Sequence, residues 1–140
     1  EMCIRDRYMD RLVSQTELIL TNEPADIYAN PTYLPEDMQP DYDRYWTDER
    51  VDRVLDVLQR YDIALEINAR YRIPSFDIIR RARERGIRFT FGTNNVDADF
   101  GRLEYCLEAV ERCGLTADDM WFPSMSVRRE RPVVLYNRFD

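Results

Sequence analysis

Histidine is missing from this 140-residue sequence, and every one of its 20 basic residues is arginine. Without histidine, a Ser–His–Asp triad, a His-containing zinc site and an imidazole general base are excluded within the chain. Without lysine, Schiff-base chemistry and the phosphate-loop lysine are excluded too. Cysteine is scarce: three residues, an odd number, with no metal-type spacing. Cys106 and Cys113 fall on one predicted helix, about 10 Å apart along its axis at 1.5 Å per residue. That is too far for a disulfide, and a reducing, cytoplasmic compartment is expected. No apolar run approaches the ~18–20 residues that span a bilayer. The opening residues are charged and lack the apolar stretch of a signal peptide, so neither membrane insertion nor export is expected. Only four glycines occur. They form neither a glycine-rich phosphate loop nor a Gly-x-Ser-x-Gly elbow.

What is present is a globular balance of 44% hydrophobic and 34% charged residues. The length fits one domain with a substantial core. The net charge of −7 makes the chain a poor candidate for nucleic-acid binding. Glu1–Arg7, EMCIRDR, resembles a translated sequencing-adapter scar and is set apart from the fold. On that reading the chain is the C-terminal piece of a longer protein. Residues 8–123 are then a partial domain, and residues 124–140 a tail to which the sequence assigns no defined structure.

The pattern alternates helix and strand. Met9, Leu12, Val13 and Leu20 predict a helix over Tyr8–Thr21, closed by Pro24. Ala25–Pro31 reads as a short buried strand, followed by a long loop over Thr32–Trp46. Thr47 caps a helix with acids in its first turn and an apolar stripe at Val51, Val54, Leu55 and Leu58. Ile63–Asn68 is a second strand. Ser75 caps a helix running to Arg85, with Gly86 ending it. Ile87–Phe91 is a third strand. Leu103, Cys106, Leu107 and Val110 form a last helical stripe, ended by Gly114. Thr116 caps a short turn, and Val133–Tyr136 has strand composition. Such alternation implies a parallel sheet with crossover helices.

In parallel α/β folds the ligand site lies at the carboxyl ends of the strands. Those positions hold Asn30, then Asn68, then Asn94 and Asn95. An amide both donates and accepts hydrogen bonds, which suits a polar ligand or phosphate oxygens. Asparagine is also a common turn former that tolerates the left-handed conformation. Glu66 and Asn68 share a face of their strand, making Glu66 the candidate buried carboxylate. Arg70 and Arg72 either pair with Glu66 or receive an anion. The run Arg80, Arg81, Arg83 and Arg85 reads as the solvated face of a helix. The aromatic residues near Trp121 read as core or interface.

These segments are similar to those of the PHP (polymerase and histidinol phosphatase) superfamily. Ala25-Asp26-Ile27-Tyr28-Ala29-Asn30-Pro31 resembles its D-I-x-x-H-P segment. Ala64-Leu65-Glu66-Ile67-Asn68 resembles its A-x-E-I-N strand. Gly86 to Asn95 resembles its G-x-x-x-x-x-G-S-D-A-H strand and loop. The match covers Ala25 to Met120. The resemblance implies a partial PHP-like domain over residues 8–123, as the C-terminal part of a distorted (β/α)7 TIM-like barrel, with divalent metals (Mn, Fe or Zn) and phosphoester hydrolysis. It departs at the ligands: Asn30 stands at a family histidine, Asn94 at an aspartate and Val96 at a histidine. Two readings follow. One is a fragment of a metal-dependent phosphoesterase, in which Glu66 supports catalysis and Asn30, Asn68, Arg70, Asn94 and Asn95 hold a small phosphorylated or polar substrate. The other is a metal-free, non-catalytic ligand-binding barrel. A piece with no function of its own is the third.

Overall fold

Apolar residues at helical and then strand spacing alternate along the chain, and the backbone follows them. The computed structural model describes residues 3–123. Helix α1 is Ile4–Asn22, β1 Ile27–Tyr28, the single-turn α2 Tyr42–Tyr45, and α3 Asp48–Tyr61. Then come β2 (Ala64–Asn68), α4 (Phe76–Glu84), β3 (Phe89–Gly92) and α5 (Glu104–Cys113). Thr47 Oγ1 accepts from the Arg50 backbone N–H, and Ser75 Oγ from that of Ile78, so α3 and α4 start where their caps predict. Gly86 and Gly114 sit at φ 76° and 65°, the left-handed conformation that ends α4 and α5.

The three strands are parallel in the order β1-β2-β3. Leu65 pairs with Phe89, Glu66 with Thr90, Ile67 with Phe91 and Asn68 with Gly92. Right-handed crossovers in a sheet that grows one way put α3 and α4 on one face. Leu65, Ile67 and Phe89 occupy that face. They are buried in one core with Val54, Leu55 and Leu58 of α3 and Ile78, Ile79 and Ala82 of α4. The alternate positions Glu66, Asn68, Thr90 and Gly92 lie on the face turned from these helices. Beyond β3 the chain returns: Met120 bridges Phe89 in parallel, and the Trp121 N–H donates to the Phe89 carbonyl at 2.8 Å. The described sheet is thus a small parallel α/β sheet; a closed barrel is not shown.

Several expectations are corrected. Helix α1 begins at Ile4, four residues before the predicted Tyr8, with Cys3 as its cap. Arg5 even reaches Tyr45 and Asp37. The first strand keeps only Ile27 and Tyr28, because Asn30 turns left-handed at φ 47° and takes the chain out of register. The loop after it contains helical turns at Gln39–Asp41 and Tyr42–Tyr45. The stripe of α5 is rotated: Tyr105, Cys106, Ala109 and Cys113 are buried, while Leu107 is 60% exposed. Tyr105 sets this rotation by stacking on Phe76 and donating to the Pro74 carbonyl. The arginine run is not simply solvated. Arg81 pairs with Asp48 and Asp52, Arg85 with Asp52 and Asp56, and Arg83 with Asp119. The first two make an ionic ladder between α3 and α4. All three cysteines are free, Cys106 and Cys113 among them as their spacing on one helix predicts. The Val133–Tyr136 expectation lies outside the described residues.

Behind β2, the Cys106 thiol donates to the Ile67 carbonyl at 3.3 Å. Burial pushes this thiol up to about 11, and the Glu66 carboxylate adds to the rise. A thiol held protonated by the fold stabilises it fully below its ordinary value of 9, and that contribution is lost as pH rises toward 11. Urea midpoints should therefore fall across this window in the native chain. The Cys106→Ala variant should fall less steeply there, with Cys113, Tyr28, Tyr42 and Tyr105, each raised chiefly by burial, contributing the remaining decline. Equal slopes in the two proteins would refute this account of Cys106.

Candidate functional site

Four of the predicted side chains meet at the carboxyl edge of the sheet. Asn68, fully buried at 0% exposure, is the hub. Its Nδ2 donates to Asn30 Oδ1 at 2.8 Å and to Glu66 Oε1 at 3.1 Å. Its Oδ1 accepts from the Tyr71 N–H at 3.0 Å, closing the turn after β2. Glu66 Oε1 accepts a second hydrogen bond, from the Asn30 N–H at 3.0 Å. Asn94 Nδ2 donates to Asn30 Oδ1 at 3.0 Å. Strand alternation puts Glu66 and Asn68 on one face, and the parallel register brings the turns after β1 and β3 to them.

Asn30 and Asn94 also carry the backbone role that their residue type predicts. Both lie at positive φ, 47° and 44°. An asparagine accepts this conformation more readily than other residues with a Cβ. Turn and cluster are therefore made by the same residues.

Gly92 is a site residue that the reading of strand ends missed. A Cβ there would fall 2.3 Å from Glu66 Oε2. The carboxylate lies against the bare Cα of the neighbouring strand. Gly92 ends β3 opposite Asn68, two residues along the same face from Glu66, a placement that only the strand register reveals.

Asn95 and the arginines depart from expectation. Asn95 Oδ1 accepts from Thr93 Oγ1 and the Gly101 N–H, so it closes its own loop and does not join the cluster. Arg70 pairs with Asp97 at 2.9 Å. Arg72 pairs with Glu108 and lies over the Tyr105 ring. Neither arginine meets Glu66. The hydrogen bond from Arg70 holds the Asp97 carboxyl below its ordinary value, aided by the Asp99 N–H.

Among the described residues no donor reaches Glu66 Oε2 or Asn94 Oδ1, and Asn30 Nδ2 has no acceptor. Asn30 is exposed and Glu66 and Asn94 partly so, and the cluster thus offers a ligand two acceptors, one of them anionic, and one donor that are not used within it. It fits the implied divalent metals poorly. Its single carboxylate is accompanied by neutral amides that are spent largely on one another, and amides are weak ligands beside carboxylate or imidazole. Among the described residues no group of three or more Cys, Asp or Glu side chains is placed to hold a metal ion. Val96, at a family histidine position, is 70% exposed.

No family model, curated protein or solved structure matches the chain. No helix of the described residues is long and apolar enough to cross a membrane.

Three substitutions separate the hub from its surroundings. Asn68→Ala removes three hydrogen bonds at a buried position and should cost about 3 kcal/mol of unfolding free energy. Asn95→Ala, on an exposed loop, should cost within about 1 kcal/mol. Gly92→Ala should cost about 1 kcal/mol, since the flexible end of Glu66 can move aside at the loss of its hydrogen bonds to Asn30 and Asn68. Denaturant unfolding of the three variants checks the ranking, and a benign Asn68→Ala would remove Asn68 from the centre of the site.

Proposed function

We propose that the chain is part of a PHP-like α/β barrel that binds a small, polar, hydrogen-bond-donating ligand at the Asn30–Glu66–Asn68–Asn94 cluster without a resident metal. The observation that carries this is the set of open valences. Glu66 Oε2 and Asn94 Oδ1 accept, and Asn30 Nδ2 donates. An ammonium, amide or hydroxyl group satisfies the acceptors, and the Glu66 charge favours a cation. A phosphoester meets that same charge as repulsion, and Arg70, the residue expected to offset it, is engaged by Asp97. This favours the ligand-binding reading over the phosphoesterase reading.

Two features support the barrel within this reading. The parallel strands follow in the order β1-β2-β3, and right-handed crossovers in such a sheet fall on one face, as in a singly wound barrel. The chain also comes back beside β3 at Met120–Trp121, in the place of the next strand. The position of the cluster agrees with both, since such folds bind at the carboxyl ends of their strands.

Ethanolamine, which offers an ammonium and a hydroxyl, is the first probe. Titrated into the purified chain, it should shift the side-chain amide resonances of Asn30, Asn68 and Asn94 saturably. Glu66→Gln should weaken that binding about tenfold, because a charge-assisted hydrogen bond is lost while the side-chain shape is kept. Mn²⁺ titrated in the same way should leave those resonances unbroadened. Tight, stoichiometric Mn²⁺ broadening at the cluster would return the metal-dependent reading to first place.

A further inference from the structure

A second feature lies at the same end of the sheet, outside the cluster. A cleft of about 200 Å³ opens between the turn after β1 and the turn after β2, lined by Thr32, Tyr33, Gln39, Tyr71, Arg72 and Ser75 among others. Tyr33 and Tyr71 stand at it edge to face, with ring centroids 4.9 Å apart. They remain 43% and 40% exposed. Buried Leu34 and Ile73 add apolar walls.

Two lining residues are held in a conformation that side chains rarely adopt. Thr32 has φ 65° and Arg72 φ 54°. For a β-branched residue this is a true outlier, and such strain persists only where neighbours over-determine it. They do so at Thr32. The Trp46 indole donates to its carbonyl at 2.9 Å, and its hydroxyl hydrogen-bonds to that of Tyr42. The Tyr42 hydroxyl in turn accepts from the Ser75 N–H at 3.2 Å, tying both sides of the cleft together. Strain held in the lining of a cleft, as at Thr32, is a feature of pre-organised sites.

The charge of the cleft is opposite to that of the chain. The whole protein carries −7, yet no carboxylate lines this cleft and its one charged lining residue is Arg72. The Arg72 side chain is 56% exposed; its guanidinium pairs with Glu108, itself 39% exposed, at 3.3 Å and lies over the Tyr105 ring, which leaves the planar fork free to exchange its carboxylate. Such a surface pair is worth little and exchanges readily for a better anion. Ser75, the cap of the nine-residue α4, also lines the cleft, and Asp77 of that helix does not. The positive helix end adds to Arg72.

We propose that this cleft is a binding site for a single aromatic ring bearing a carboxylate. The ring stacks against Tyr33 and Tyr71, and the carboxylate takes the fork of Arg72 from Glu108. The volume limits the occupant to about one ring, since drug-sized ligands need about 300 Å³ or more. The inference is independent of the cluster reading, because the cluster presents an anionic acceptor and the cleft a cation.

Benzoate is the probe, with phenol and acetate as the two halves of its chemistry. Titrated into the full 140-residue chain at millimolar concentration, benzoate should move the backbone amides of Thr32, Tyr71 and Arg72 saturably. Phenol should bind more weakly at the same amides, and acetate should not saturate. Arg72→Gln should weaken benzoate about tenfold and leave phenol unchanged, since only the carboxylate contact is lost. Arg72→Lys, which keeps the charge without the fork, should fall between. Tyr71→Ala should weaken benzoate and phenol alike. Each variant is first compared with the native chain by its amide spectrum, so a misfolded variant is recognised and replaced by Tyr33→Ala. The proposal is overturned if benzoate fails to saturate, if acetate matches it, or if folded Arg72→Gln binds benzoate as the native chain does.

Discussion

The carboxyl edge of this sheet depends on one buried amide. Asn68 is fully buried, and every polar valence it points inward is used: two donors toward Asn30 and Glu66, one acceptor toward the Tyr71 N–H. Burying an amide without partners is costly, so the three groups must arrive together or the strand end cannot close. That requirement orders the surroundings. It brings the turn after β1 over β2, fixes the Glu66 carboxylate, and begins the turn that carries Tyr71 and Arg72. The two sites described above, one anionic and one cationic, share this support and little else.

Much of the scaffold was legible because local chemistry and tertiary need agree. Thr47 and Ser75 are caps in sequence and in structure, and Val51, Val54, Leu55 and Leu58 are buried where their spacing puts them. Alternation predicted that Glu66 and Asn68 face the same way, and they touch. What was not legible depends on packing between distant segments. The face of α5 is chosen by Tyr105 meeting Phe76 and Pro74, neither of which is near it in sequence. The partners of Arg70 and Arg72 lie 27 and 36 residues away. Asn95 shares its residue type with Asn94 but not its direction, because one position in a turn reverses where a side chain points. Thr32 gave no sign at all: its strain comes from Trp46 and Tyr42, and residue type alone argues against a positive φ there.

The all-arginine complement of the chain acquires meaning in the α3–α4 ladder. Asp52 Oδ1 receives both Arg81 and Arg85, at 2.6 and 2.8 Å. Sharing one carboxylate oxygen between two cations relies on planar, directional donors, which the compact ammonium of lysine lacks. The ladder spans the outer surface of two crossover helices whose inner surfaces bury the core. It contributes orientation more than energy, as exposed pairs do.

Gly92 carries a last consequence. In a parallel pair, slipping β3 by one residue turns its faces over, and Phe89 would leave the core. A slip by two residues keeps the faces and is the more dangerous error. Here it would bring Thr90 or Asn94, each with a Cβ, to the place opposite Asn68, where an added carbon lies 2.3 Å from the Glu66 carboxylate. The missing side chain therefore favours one alignment, because any other residue there would push the Glu66 carboxylate off Asn30 and Asn68. It adds to the apolar pattern that already fixes how β2 and β3 pair.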